Sequence, residues 1–213
     1  MIALIYQQQY LAFLLIAFAL ILSLTFHEFG HGKMASMIGD DTAERAGRLT
    51  LNPIPHLHPV GLLLVLLIGI GFARPVPTDP GKFNTRWGIL LVAAAGPAMN
   101  LLLAFLTINL YAIGLQAGWA WFTSPGATAF FYFLPLINML LMLFNLLPIG
   151  PLDGSYILPY LLPRELAKKY LQFNQRLGGY LLLGIMALHL LGVPIFNKLW
   201  ALGEFLLRAI TIF

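Results

Sequence analysis

Apolar residues fall in long unbroken runs, and polar residues collect in short clusters between them. A membrane-crossing helix needs about 20 mostly apolar residues. Residues 10–37 meet that requirement and are predicted as the first helix, ended by Gly39-Asp40-Asp41. The connection 40–58 is polar. Within it Leu49-Thr50-Leu51 is predicted as a short strand, stopped by Asn52-Pro53 and Pro55. Residues 61–73 are apolar but too few for an ordinary span, and are predicted to dip into the membrane and return. Arg74-Pro75-Val76-Pro77 must be extended, because each proline lacks a donor and restricts the residue before it. Further helices are predicted at 87–115, interrupted by Gly96-Pro97, at 127–149 and at 177–196. The tail 197–213 is a last helix, lying at the interface or packing as a sixth. The expected fold class is an all-α polytopic membrane protein with about five to six membrane helices, a short re-entrant segment and minor β-strands. Residues 1–213 form one membrane-embedded domain, with C-terminal helices in 177–213.

Composition narrows the class. Only 9% of residues are charged, against about 25% in soluble domains, so a water-covered surface is excluded and no soluble module is expected. No basic segment precedes the first apolar run, so a cleaved leader is not expected there. Cysteine is absent, which excludes disulfides, thiolate metal sites and cysteine nucleophiles. The net charge of +4 is modest and implies no nucleic-acid partner. Charges sit at 33–48, 74–86, 153–176 and in the tail, while 1–24 and 88–152 carry none. If 61–73 re-enters, the basic connections share one side, which the positive-inside rule assigns to the cytoplasm.

His27-Glu28-Phe29-Gly30-His31 lies in the last third of the first helix. Residues four apart share a helix face, so His27 and His31 can offer two imidazoles to one metal, with Glu28 beside them to handle a water proton. Ionisable side chains at membrane depth usually serve function. Catalytic zinc commonly takes three protein ligands, and the best third candidate is Asp153, next to Gly154 at the end of its span. Zinc at +2 with Asp153 and Glu28 ionised sums to zero, which suits a site cut off from bulk water. Spacing alone does not select Asp153.

These motifs have a family likeness. His27-Glu28-Phe29-Gly30-His31, Ala95-Gly96-Pro97-Ala98-Met99-Asn100 and Asn145-Leu146-Leu147-Pro148-Ile149-Gly150-Pro151-Leu152-Asp153-Gly154 resemble the three core motifs of the site-2 protease family of intramembrane zinc metalloproteases. Asn52-Pro53-Ile54-Pro55-His56-Leu57-His58-Pro59 and Ala73-Arg74-Pro75-Val76-Pro77 resemble its compact prokaryotic branch, which lacks a PDZ domain. The likeness covers core motifs in 26–158. It implies one Zn2+ per chain on His27, His31 and Asp153, and Glu28 as catalytic base. It also implies endopeptidase action in or near transmembrane segments of substrate proteins in the lipid bilayer, as in regulated intramembrane proteolysis. The enzyme would sit in a prokaryotic plasma membrane with its active site toward the cytoplasm. His58 stands where that branch has an aspartate.

Two further residues are candidates. Asn100 is expected to bond the substrate backbone or the oxyanion, the alternative being a cap on the carbonyl that Pro97 frees. His56 either bonds the connecting loop, holds a carboxylate, or acts at the active site on closure. The extended stretches near Leu49–Leu51 and Val76 are expected to hold an unwound substrate by backbone pairing. The rival functions are a membrane metal-ion transporter and a non-catalytic membrane scaffold. No oligomeric state follows from the sequence.

Overall fold

The computed structural model describes residues 2–68 and 73–212. After a short helix at Ile2–Tyr6, three long helices form the body: α1 (Tyr10–Met37), α3 (Gly88–Gln116) and α4 (Pro125–Asn145). A ten-residue helix, α2 (Pro59–Ile68), lies between α1 and α3 in the chain. At 1.5 Å per residue, α1 and α3 are each more than about 40 Å long and α4 about 30 Å, enough for a hydrocarbon core of about 30 Å. By length and apolarity these three qualify as spans, and the chain is an integral membrane protein. The all-helical expectation holds.

Of the expected five to six spans, three qualify among the described residues, or four with a bent pair counted as one. The stretch read as a span at 177–196 belongs to a longer helix that starts earlier, as α5 (Arg164–Phe173). It passes through a π turn at Asn174–Gly178 and continues as α6 (Gly179–Leu190). Gly192, at φ +94°, and Pro194 then break it. The last helix, α7 (Ile195–Ile210), leaves at 92° to the α5–α6 rod, so the bent pair adds at most one span to the three. The predicted strands are also absent among the described residues: 49–51 bends and 73–79 forms neither strand nor helix. Prolines at 53, 55, 75 and 77 remove the donors a ladder would need, and Thr50 O already accepts from His56 Nε2.

The expected re-entrant stretch includes residues 69–72, which lie outside the described residues. Its ends are described. Arg74 N donates to His56 O at 2.8 Å, and Arg48 Nη2 donates to Arg74 O at 2.6 Å. The two described ends of the stretch therefore lie together. α2 would rise only about 15 Å, half of the hydrocarbon thickness.

Helices α1, α3 and α4 pack against one another, and α7 packs on α4. Ala104, Leu136, Met139, Met142 and Leu207 form the main apolar cluster, joining α3, α4 and α7. A second cluster of Ala35, Ile38 and Val92 joins the end of α1 to the start of α3. The two helices run antiparallel: His31 meets Val92, and His27 meets Asn100. α4 runs parallel to α1, with Phe18 against Phe130 and Ser23 bonded to Asn138. One end of the bundle thus gathers the end of α1, the start of α3, the end of α4 and the polar connections.

Candidate active site

His27 and His31 project from α1 toward α3, which approaches with bare backbone. A Cβ on Gly96 would stand 2.5 Å from His31 Cε1 and 2.7 Å from His27 Cε1, so only glycine leaves room for both rings. Gly30 serves the same approach from the other side, where a Cβ would meet Ala95 O at 2.7 Å. The Gly96-Pro97 break predicted in this helix is therefore where the imidazoles sit. Pro97 has no N–H for Ala93 O, and in the same turn Val92 O accepts from His31 Nδ1 at 2.7 Å.

The tautomer of His27 is set through an amide. Asn100 Nδ2 donates to the backbone carbonyl of Ser23 at 3.1 Å and to Asn138 Oδ1 at 2.8 Å. A carbonyl can only accept, so this orientation of the Asn100 amide is fixed, and its Oδ1 faces His27 Nδ1 at 2.7 Å. His27 must donate there. Asn138 is oriented in turn, donating to Leu134 O and Ser23 Oγ, both at 2.8 Å, while Ser23 Oγ donates to Ala19 O at 2.6 Å. Asn100, Asn138 and Ser23 are all 0% exposed. Every hydrogen of the Asn100 amide is engaged within the protein.

With both Nδ1 atoms donating, each neutral imidazole presents an Nε2 lone pair to the same point. The two Nε2 atoms are 3.0 Å apart. Asp153 completes the group: its Oδ2 lies 3.3 Å from His27 Nε2 and its Oδ1 3.4 Å from His31 Nε2. Asp153 Oδ2 is buried and has no hydrogen-bond donor. In that neutral form three electron-pair donors converge, an arrangement that repels itself unless a cation or a proton occupies the centre. Two imidazoles and one carboxylate are the ligand set of an open catalytic zinc site, so these residues fit that ion.

Glu28, also buried, accepts from Val76 N at 2.9 Å. Pro75 and Pro77 have no N–H, so within 75–77 this is the only backbone donor, and Glu28 takes it. Within 75–77, carbonyl acceptors alone remain for the expected pairing with a substrate strand. The segment lies over α1, since a Cβ on Gly32 would meet Val76 Cγ1 at 3.2 Å. Its far end is held where Asp79 N donates to Asp40 Oδ2 at 2.7 Å.

His56 stands apart from the His27–His31–Asp153 group. It is 1% exposed, and its Nε2 bonds Thr50 O at 2.8 Å within the connecting loop. His58 Nδ1 accepts from Gly61 N at 3.3 Å, at the start of α2. Asn145 donates to Leu141 O, one turn back in its own helix. Sequence reasoning passed over Ser23, Asn138 and the Val76 N–H. An uncharged polar residue inside an apolar run was the available signal for the first two. The last has no side-chain signature.

Comparison with known proteins decides the family. A protein of Bacillus subtilis named "Putative zinc metalloprotease YwhC" is 44% identical over 158 residues, covering 72% of this chain and 71% of its own length. The model of Peptidase family M50 matches residues 113–186. This chain belongs to peptidase family M50. Two more relatives carry zinc metalloprotease names. Rip2 of Mycolicibacterium smegmatis is 38% identical over 161 residues, covering 71% of this chain and 59% of its own. The Synechocystis protein sll0528 is 34% identical over 132 residues, covering 59% and 33%. The chain thus spans about three fifths or less of the longer relatives. No solved structure matches it significantly. As an M50 member the protein is a metalloprotease, and Zn2+ is its cofactor.

Proposed function

We propose that this M50 protease cuts peptide bonds in or near the transmembrane segments of other membrane proteins, working from the cytoplasmic side of a prokaryotic plasma membrane. One observation carries the reading: the His27–His31–Asp153 group lies between helices apolar enough to cross the bilayer. His27 is ten residues, or about 15 Å, from the polar end of α1. The basic connections gathered at that end support its cytoplasmic orientation, and the His56–Arg74 bond supports a re-entrant path for 61–73.

In this proposal His27, His31 and Asp153 hold the zinc, which when bound supplies a Lewis acid for the scissile carbonyl and an acidified water. Glu28 takes the proton of the attacking water and delivers it to the leaving amine. The Val76 N–H fixes the orientation of the Glu28 carboxylate before substrate arrives. Asn100 acts through His27, holding its ring and tautomer, because no amide hydrogen is left for a substrate oxygen. A helical substrate must unwind locally, since its peptide groups are otherwise bonded within the helix. The test is incubation of purified protein with single-span peptides, with and without chelator, followed by mass spectrometry. The wild type cuts within or beside the span, and Glu28→Gln retains zinc but cuts nothing. Cleavage that survives both Glu28→Gln and chelation contradicts the proposal.

A further inference from the structure

The two histidine rings are each fixed by a second hydrogen bond, to Asn100 and to Val92. The Asp153 carboxylate has no such support: Oδ2 accepts from no donor. Its position therefore depends on the backbone that carries it, the turn from Pro148 to Asp153. That turn is gripped from outside by the α5–α6 helix. Asn174 Oδ1 accepts from Gly150 N at 2.9 Å and Asn174 Nδ2 donates to Gly150 O at 3.1 Å, so one side-chain amide satisfies both polar groups of one residue. One helical turn earlier, the Tyr170 hydroxyl donates to Pro148 O at 3.1 Å. Gly150 adopts φ +63°, open to glycine at little strain. The approach is close enough that a Cβ on Gly178 would fall 2.9 Å from Gly150 Cα. Asn174 and Gly178 begin and end the π turn, a local widening that often marks functional positions in helices. Only Pro151, with its fixed φ, and Leu152 separate Gly150 from Asp153.

We propose that Asn174 is a positioning residue, whose amide clamps Gly150 and thereby holds Asp153 at the distance the two imidazoles require. The proposal rests on Asp153 being a zinc ligand, as argued above. Because the clamp lies on α5–α6, outside the three-helix bundle whose α1 carries both histidines, it ties the C-terminal helices to the metal centre.

The test is zinc affinity of the full-length detergent-solubilised protein, measured by competition with a chromophoric chelator, together with the visible absorption of the Co2+-loaded form. Asn174→Ala is expected to weaken zinc by about tenfold, the scale of other supporting residues at metal sites, and to change the Co2+ bands. Asn174→Asp keeps the acceptor for Gly150 N but loses the donor to Gly150 O. Its volume is unchanged, and a loss of affinity in the same direction is expected. Gly179→Ala, where a Cβ meets nothing within 4 Å, serves as control and leaves both readouts unchanged. If Asn174→Ala does not fold, Asn174→Asp decides. A lower melting temperature with unchanged affinity and spectrum overturns the clamp, provided Asp153→Ala does lose zinc. If Asp153→Ala binds zinc as tightly as wild type, the ligand reading itself fails.

Discussion

A metal-binding histidine that coordinates through Nε2 must keep its proton on Nδ1, and at His27 an asparagine enforces this rather than a carboxylate. Replacing Asn100 by leucine leaves the His27 Nδ1–H and the Asn138 amide oxygen without these partners in a fully buried place, and removes the second donor to the Ser23 carbonyl. Zinc affinity of Asn100→Leu, measured by chelator competition, should fall about 10–100-fold. If Asn100 instead touched only substrate, cleavage would fall while affinity stayed put. His27, Glu28 and His31 were legible in the sequence because four-residue spacing is a local property of a helix. Asp153 was suggested by its place at the end of a span, by charge balance and by its motif, since no local rule links positions so distant in the chain. Asn138 was not, because its role depends on meeting Ser23 and Asn100 from two other helices.

At the scale of elements, the 73–79 segment lies where three acceptors fix it: His56 O, the Glu28 carboxylate and the Asp40 carboxylate. Burial alone would push the Asp40 carboxyl up. The Thr42 hydroxyl, the Asp79 and Thr42 N–H groups and nearby Lys82 outweigh it and hold it below the usual carboxylate range. A depressed carboxyl binds fewer protons in the folded state, so its stabilisation is present above that range and is lost as pH falls through it. Thermal unfolding should therefore decline in acid for the wild type. Asp40→Asn should melt lower at neutral pH, by about 1–3 kcal/mol of lost charge-assisted hydrogen bonding, and show a flatter acid dependence. The long helices α1, α3 and α4 were readable because unbroken apolar length is itself the signal. The α5–α6 rod was not: it begins with a charged, amphipathic stretch and becomes apolar only past the π turn, so composition divided what the backbone keeps continuous.

At the scale of the whole molecule, the bond between His56 and Arg74 brings the two ends of the apolar excursion together, and the proposed re-entrant path would put both on one side of the membrane. The chain has no cysteine, so single cysteines can report sidedness without background. Cysteines at Thr42, Thr78 and Glu165 should react with an impermeant reagent only when the cytoplasmic face is open to it, and one at Gly118 only from the opposite face. Labelling of Thr42 and Thr78 from opposite faces would mean that the excursion spans. The proposed sidedness rests on charge clusters in the sequence, whereas the number of candidate spans after Asn145 needed the geometry of the 92° bend.

The central claim is that two imidazoles from α1 and one carboxylate from beyond α4 hold a single zinc within the helix bundle. Metal analysis of the purified protein and its ligand variants tests it most directly. One zinc per chain is predicted for the wild type and for Glu28→Gln, with loss of the metal in His27→Ala, His31→Ala and Asp153→Ala. Full zinc content in Asp153→Ala would contradict it.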